Sequence, residues 1–253
     1  ILNLTITQPD TSFVEVTACE SYEWNGQIYT ESGIYFSNGY DNNNNYSLDF
    51  NNSISSIEIP FNSSLNINQN FSWAGDFYFT DINSNYSLWD QNNYYINYWG
   101  AENWNRSFWF SICENEICYQ FYGNHLPVQA NTWFNLVVTL ENGDIRIYVD
   151  GIDITYGNTL NGQNILDYYT QSTTPIIVGL NNHSTVNMLI DNYSLWNQTI
   201  STSMIQNYIN CPPTGNEEGL VGYWNFEEGQ GNTAYDLSGN GNDGTINGAT
   251  YSL

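Results

Sequence analysis

Positive charge is almost absent from this chain. Lysine does not occur, and Arg106 and Arg146 face 26 aspartates and glutamates within 253 residues. A formal charge of −24 excludes nucleic acid as a partner class, because phosphate binding needs clustered Lys and Arg. It disfavours anionic membrane surfaces for the same reason. No run of about 18 apolar residues occurs, so no membrane insertion by a helix is expected. No cleavable leader with a basic start and an apolar stretch is present either. The chain opens in strand-like alternation at Leu2-Asn3-Leu4-Thr5-Ile6, which reads as a mature product or a piece of a longer chain. The two histidines, His125 and His183, lie in loop sequence, and no nucleophile elbow accompanies them. Glu227-Glu228 and Asp150 with Asp153 are the nearest approach to an acid–base pair for glycoside hydrolysis. Both occur in turn contexts that structure explains without chemistry, so no enzyme activity is expected.

Only 11% of residues are charged while 17% are aromatic. The polar surface is therefore built from Asn, Ser, Thr and Gln. A disordered acidic tail, charge-rich and aromatic-poor, is excluded. Four cysteines occur. Cys113 and Cys118 flank Glu114-Asn115-Glu116-Ile117, which reads as a hairpin turn, and a disulfide across it is expected. Cys19 and Cys211 remain as a possible second pair. Zinc is excluded by the spacing and the lack of a nearby His pair. Disulfides imply an oxidising compartment. Sequons at Asn45, Asn85 and Asn192 agree with a loop-rich exterior, so an extracellular or cell-surface location is expected.

Short alternating runs dominate the chain and predict strands. After the first segment, the Asn run at 42–45 marks a linker and a boundary near residue 41. Beyond it, residues 46–50, 56–59, 71–80, 93–99, 107–113, 117–122, 132–140, 144–149, 152–156, 175–179 and 188–196 read as strands. Asn142-Gly143 and Asp150-Gly151 are hairpin turns that call for positive φ. One short helix is expected at 201–209, with Met204, Ile205, Tyr208 and Ile209 on one face. Ser203 and Gln206 are placed to form its capping box, and Pro212-Pro213 stops it. Many strands with one short helix predict an all-β, two-sheet antiparallel sandwich.

The stretches from Thr132-Trp133-Phe134 to Leu140 and from Gly143-Asp144-Ile145 to Asp150-Gly151 resemble the central hairpin of laminin-G-like and pentraxin-like domains of concanavalin-like jelly-roll type. Leu189-Ile190-Asp191 through Ile200-Ser201 resembles the family's last strand and the helix after it. Tyr46-Ser47-Leu48-Asp49-Phe50 resembles an early strand. Gly219-Leu220-Val221-Gly222-Tyr223-Trp224-Asn225-Phe226, with the Asp236–Ile246 loop, resembles the family's first strand and following loop, yet here it comes last. The resemblance implies a circularly permuted sandwich over 42–253, its sheet closed by the strand at 220–226. A truncated second domain and completion of a neighbouring copy are the alternatives. Residues 1–41 resemble part of a small β module found in bacterial tandem-repeat surface proteins.

The resemblance also implies a structural calcium ion, held by Asp236, Asn240 and Asn242 of the loop and by Asp191 of the strand. Oxygen donors between tight glycine turns suit a hard cation. The aromatic stretch 93–109 suggests a sugar site, with Tyr98, Trp99, Trp104 and Arg106 as its residues. The expected role is a calcium-stabilised, non-catalytic structural or adhesive module of a surface repeat protein or filament, with neighbouring copies as partners. The alternative is a carbohydrate-binding module with glycans as partners.

Overall fold

The computed structural model describes residues 2–7, 13–18, 22–24, 27–29 and 33–36, and then 46–253 except 52–54, 67–68, 92–93, 101–105, 115–116, 124–127, 159–171, 180–186 and 210. The chain divides into two compact units, Ile1–Asn45 and Tyr46–Leu253. In the first, β1 (Leu2–Thr7) pairs antiparallel with β2 (Phe13–Ala18), while β3 (Tyr22–Trp24) and β4 (Gln27–Tyr29) form a hairpin. β5 (Gly33–Phe36) lies parallel to β1.

The second unit is a sandwich. Its strands are β6 (Ser47–Phe50), β7 (Ser56–Ile59), β8 (Asn70–Phe79), β9 (Tyr86–Asp90), β10 (Tyr94–Trp99), β11 (Ser107–Glu114), β12 (Ile117–Gly123), β13 (Trp133–Glu141) and β14 (Asp144–Val149). They continue with β15 (Ile152–Asp153), β16 (Thr155–Asn158), β17 (Ile176–Val178), β18 (Met188–Trp196), the helix α1 (Thr202–Tyr208), β19 (Leu220–Trp224), β20 (Thr233–Ala234), β21 (Gly244–Asn247) and β22 (Thr250–Ser252). Among the described residues, one sheet has nine strands in the order β16-β12-β11-β10-β9-β17-β7-β21-β20. The other has eight in the order β15-β14-β13-β8-β18-β6-β22, with β19 beside β18. Every strand pair in both sheets is antiparallel. Both hairpin turns carry the positive φ expected of them, 49° and 91° at Asn142-Gly143 and 49° and 71° at Asp150-Gly151.

Alternation places one side of each strand in the shared interior. Phe71, Trp73, Phe77 and Phe79 of β8 meet Tyr94, Ile96 and Tyr98 of β10 and Phe108, Phe110 and Ile112 of β11 in one continuous core. Aromatic packing dominates it: the Phe79 ring stacks on Tyr86 at 4.0 Å and lies 4.9 Å from Phe134, edge to face. β9 was not foreseen, because four consecutive residues, Tyr86 to Trp89, are buried. Its register slips opposite Ile96/Asn97, so no alternation shows in the sequence.

The two sheets differ on their outer faces. The eight-stranded sheet carries a second apolar layer of Ala74, Val137, Tyr148, Trp196, Leu220 and Tyr223, covered by Ile200 and by Ile205 of α1. Ser201, rather than Ser203, caps that helix, its hydroxyl accepting from Met204 N. The Gln206 amide instead donates to Gly151 O at 2.9 Å and ties the helix to the hairpin turn. Next to this layer the register sets Asn135, Asp76 and Asp191 side by side. Asp76 accepts from Asn135 Nδ2 at 2.8 Å and from Asn192 Nδ2 at 3.0 Å. Burial pushes its carboxyl up to about 6, against the pull of these two amides and with a push from the Asp150 charge.

The C-terminal segment belongs to both sheets. β18 is flanked on one side by two short strands laid end to end: β6 along Met188–Ile190 and β19 along Tyr193–Trp196. Asn192, at φ 49°, marks the irregularity between them. β21 then joins β7 in the other sheet, and β22 returns to pair with β6. The late segment therefore closes the sandwich of its own chain.

Trp224 is 1% exposed, packs against Tyr193 and donates its indole N–H to Asn242 O. Trp224→Ala is expected to lower unfolding free energy by about 3–5 kcal/mol in urea denaturation; a change under about 1 kcal/mol would mean the segment is not packed as described. A second expectation concerns Asp76. The folded state holds its proton to higher pH than the unfolded chain, so its contribution to stability falls as pH rises from about 4 to 6. Asp76→Asn should remove that fall. Its stability relative to the parent, read at pH 4 and pH 7, should improve toward pH 7 by up to about 3 kcal/mol. Parallel pH profiles would show that Asp76 titrates normally.

Candidate functional site

The outer face of the nine-stranded sheet is the face that α1 does not cover. Strand alternation decides which side chains it presents. On β10, Tyr94, Ile96 and Tyr98 are buried while Tyr95, Asn97 and Trp99 between them are half-buried. Cross-strand register extends the row: Asn97 lies opposite Trp109, and Trp109 opposite Tyr122. The Trp109 and Tyr122 rings are 5.2 Å apart, and Tyr122 lies 6.0 Å from Tyr156 on the edge strand. Tyr156 is 70% exposed. Tyr122 reaches across Gly157, where a Cβ would come within 3.0 Å of the phenol oxygen, so the glycine leaves room for the ring to lie over the edge strand. Trp109 is oriented by its indole N–H, which donates to Ser107 Oγ at 2.6 Å.

Polar groups stand among these rings. Ser111 and Gln120 face each other across β11 and β12, and Tyr95 pairs with Asp90. Burial, then the Asp90 charge, raises the Tyr95 phenol above its usual range. Asn97 Oδ1 is buried with no hydrogen-bond partner among the described residues. Such an acceptor costs about 1–3 kcal/mol until something donates to it. Aromatic faces with a few fixed polar groups between them make up a ligand platform.

The sequence placed a sugar site in this region but chose among its residues imperfectly. Trp99 is on the face. Tyr98 is not: it is 2% exposed, packs against Phe79, Tyr86 and Phe108, and donates its hydroxyl to Ile82 O. Desolvation pushes that phenol up to about 12, more than the Arg106 charge pulls it down. Arg106 donates from Nη2 to Asn83 Oδ1 at 2.8 Å, and Trp104 lies outside the described residues. Trp109, Tyr122 and Tyr156 went unnamed as site residues. Period-two spacing from Trp99 through Asn97 fixes the outward side of β10, but only the register brings in the other strands.

Of the residues named for calcium, Asp236, Asn240 and Asn242 share one loop, Asn242 bonded directly to Asp236 and Asn240 through Ser238, while Asp191 is on β18. Asp236 is a hub for backbone amides: Oδ1 accepts from Tyr223 N and Ser238 N, and Oδ2 from Asn242 N. The Asn240 amide donates to Leu220 O and Ser238 Oγ. The Asn242 amide donates to Val221 O at 2.7 Å, while its Oδ1 is buried and has no partner among the described residues. Asp191 accepts from Asn192 N, beside Asp76, in a separate cluster. Both Asp236 oxygens thus already accept backbone N–H groups, while Asn242 Oδ1 is the uncommitted acceptor of the loop among the described residues. Among the described residues no three His, Cys, Asp or Glu side chains are arranged to hold a metal.

The remaining motifs resolve as structure. Cys113 and Cys118, opposite each other on β11 and β12, are joined by a disulfide. Cys211 is a free, exposed thiol; Cys19 lies outside the described residues, as do His125 and His183. Glu228 accepts from Tyr235 N and from the Tyr251 hydroxyl, and Glu227 from Tyr46 N. Asp150 caps Asn135 N, and Asp153 accepts from Thr155 N while facing Arg146. The carboxylates considered for acid–base chemistry thus hold turns and strands together. The Asn192 sequon is also built in, its amide bonded to Asp76 and to the Tyr223 hydroxyl.

Among curated protein sequences nothing matches the chain. Among solved structures it is similar to a protein from Bacteroides ovatus ATCC 8483 described as carbohydrate binding, at 12% identity and a TM-score of 0.60 over 89% of this chain and 67% of that one. It is less similar to the heptameric SAP-like pentraxin of Limulus polyphemus, at 8% identity and a TM-score of 0.48 over 67% and 84% of the two chains. Domain 4 of an extracellular GH43 arabinanase from Geobacillus stearothermophilus, solved with arabinotriose, gives 15% identity and 0.46 over 60% and 71%. At such identities the likeness is one of fold. The family model of the concanavalin A-like lectin/glucanases superfamily matches residues 51–206, more than half of the sequence, and the chain belongs to that superfamily.

Proposed function

We propose that the sandwich is a non-catalytic carbohydrate-binding module of a secreted or cell-surface protein, and that it takes a neutral glycan on the outer face of the nine-stranded sheet. The observation that carries this reading is the row Trp109, Tyr122 and Tyr156, continued on β10 by Trp99, with the half-buried Asn97 beside it. Sugar rings offer C–H faces to aromatic side chains and hydroxyls to amides, and the row supplies both partners. The charge selects the class. The chain carries −24 against two arginines, and these are bonded to Asn83 and to Asp144. Uronate or sulfated glycans would meet repulsion without a counter-charge.

The described carboxylates considered for catalysis are engaged in structure, which favours binding over turnover. A disulfide belongs to an oxidising compartment, which supports an extracellular site of action. Adhesion, the role first expected from the sequence, is what glycan binding would accomplish for a module carried at a cell surface.

Affinity electrophoresis through gels holding laminarin, galactomannan or arabinan tests the reading. Retardation is expected in at least one. Trp109→Ala or Tyr122→Ala should weaken it about tenfold or more, as loss of about 1.5–3 kcal/mol of ring burial implies. Free migration of the parent protein in every gel would remove the proposal. Because both Asp236 oxygens already accept backbone amides, EDTA should leave the thermal midpoint unchanged; a fall of several degrees would support calcium.

A further inference from the structure

A second aromatic pair stands on the opposite side of the sandwich, on the outer face of the eight-stranded sheet. Trp133 of β13 lies directly across from Tyr78 of β8, with ring centroids 5.7 Å apart. Trp133, the first residue of β13, is 43% exposed. The Tyr78 hydroxyl donates to Asn131 Oδ1, which holds its ring beside the indole. One step along the same strands comes the row Asn135, Asp76 and Asp191. Leu189, half-buried, continues the aromatic row past Tyr78. Asn135 is 8% exposed, and among the described residues its Oδ1 has no hydrogen-bond partner, although its Nδ2 donates to Asp76.

We propose that this face is a second sugar-binding site for a neutral polyhydroxylated ligand, so that one domain bridges two glycan chains. The chemistry of the row sets the class. Asn135 Oδ1 is an acceptor, so the ligand must bring a donor. An anion is repelled by Asp76, Asp150 and Asp191. A metal ion would have to displace the amide N–H groups that already occupy both Asp76 oxygens. Hydroxyl groups donate without adding charge to a largely buried row, and a sugar brings them attached to a face that packs on Trp133. The site shares no residue with Trp99, Trp109, Tyr122 and Tyr156, so it stands or falls separately from the first face.

The test compares Trp133→Ala, Trp109→Ala and the double variant in gels holding laminarin, galactomannan or arabinan, together with turbidity of each polysaccharide mixed with protein. Trp133→Phe, which keeps a ring, guards against loss through misfolding. Each single alanine variant is expected to keep part of the parent's retardation and to lose the turbidity that cross-linking produces. The double variant should migrate freely, and Trp133→Phe should behave as the parent does. If Trp109→Ala alone abolishes retardation and Trp133→Ala migrates as the parent, the second site is wrong and the first remains. If Trp133→Ala alone abolishes it while Trp109→Ala does not, the first face is wrong and the second remains. Free migration of the parent in every gel overturns both.

Discussion

The structure depends on the seam where Leu220–Trp224 lies against Tyr193–Trp196. One strand cannot be flanked along its full length by β6, which covers only Met188–Ile190. Without the late segment, half of β18 would present unpaired N–H and C=O groups and an apolar face to water. The segment satisfies the edge, puts Trp224 into the core beside Tyr193 and continues into both sheets. Its own loop is fixed by Asp236, whose carboxylate gathers three backbone amides from Tyr223, Ser238 and Asn242. An aspartate that looks like a metal ligand in the sequence is the clasp of this seam.

Closing the sandwich leaves an asymmetry from which the binding proposals follow. The eight-stranded sheet is covered on its outer side by Ile205 and the residues around it. The nine-stranded sheet carries half-buried aromatic and amide side chains on its outer side. Rings on a rigid sheet lose little conformational freedom when a ligand arrives, which is why strand-borne platforms suit sugars. Where the helix stops short on the other sheet, Trp133 and Tyr78 remain uncovered.

Much of this was legible in the residues. Strands with clean alternation, such as Tyr94–Trp99, and turns such as Asn142-Gly143 followed from local rules. The double-buried β9 did not, because a bulge removes the period. Tyr98 and Trp99 are neighbours of similar chemistry, and one faces the core while the other faces outward. Composition singled out the stretch, and only parity along the strand separates the two. Trp109 and Tyr122 belong to the same platform through register, a long-range property that no window of sequence contains. Ser201 caps the helix in place of Ser203, and Gln206, expected in the capping box, bonds to the turn at Gly151, a long-range partner that the local pattern does not contain.

The nine tryptophans offer the most direct test of where ligand sits. Their indole N–H resonances can be followed by heteronuclear NMR while a neutral oligosaccharide derived from a retarding polysaccharide is added. The account predicts that Trp99 and Trp109 shift with ligand, while the fully buried Trp73, Trp89, Trp196 and Trp224 stay in place. Shifts confined to the buried set, with Trp99 and Trp109 unmoved, would contradict it.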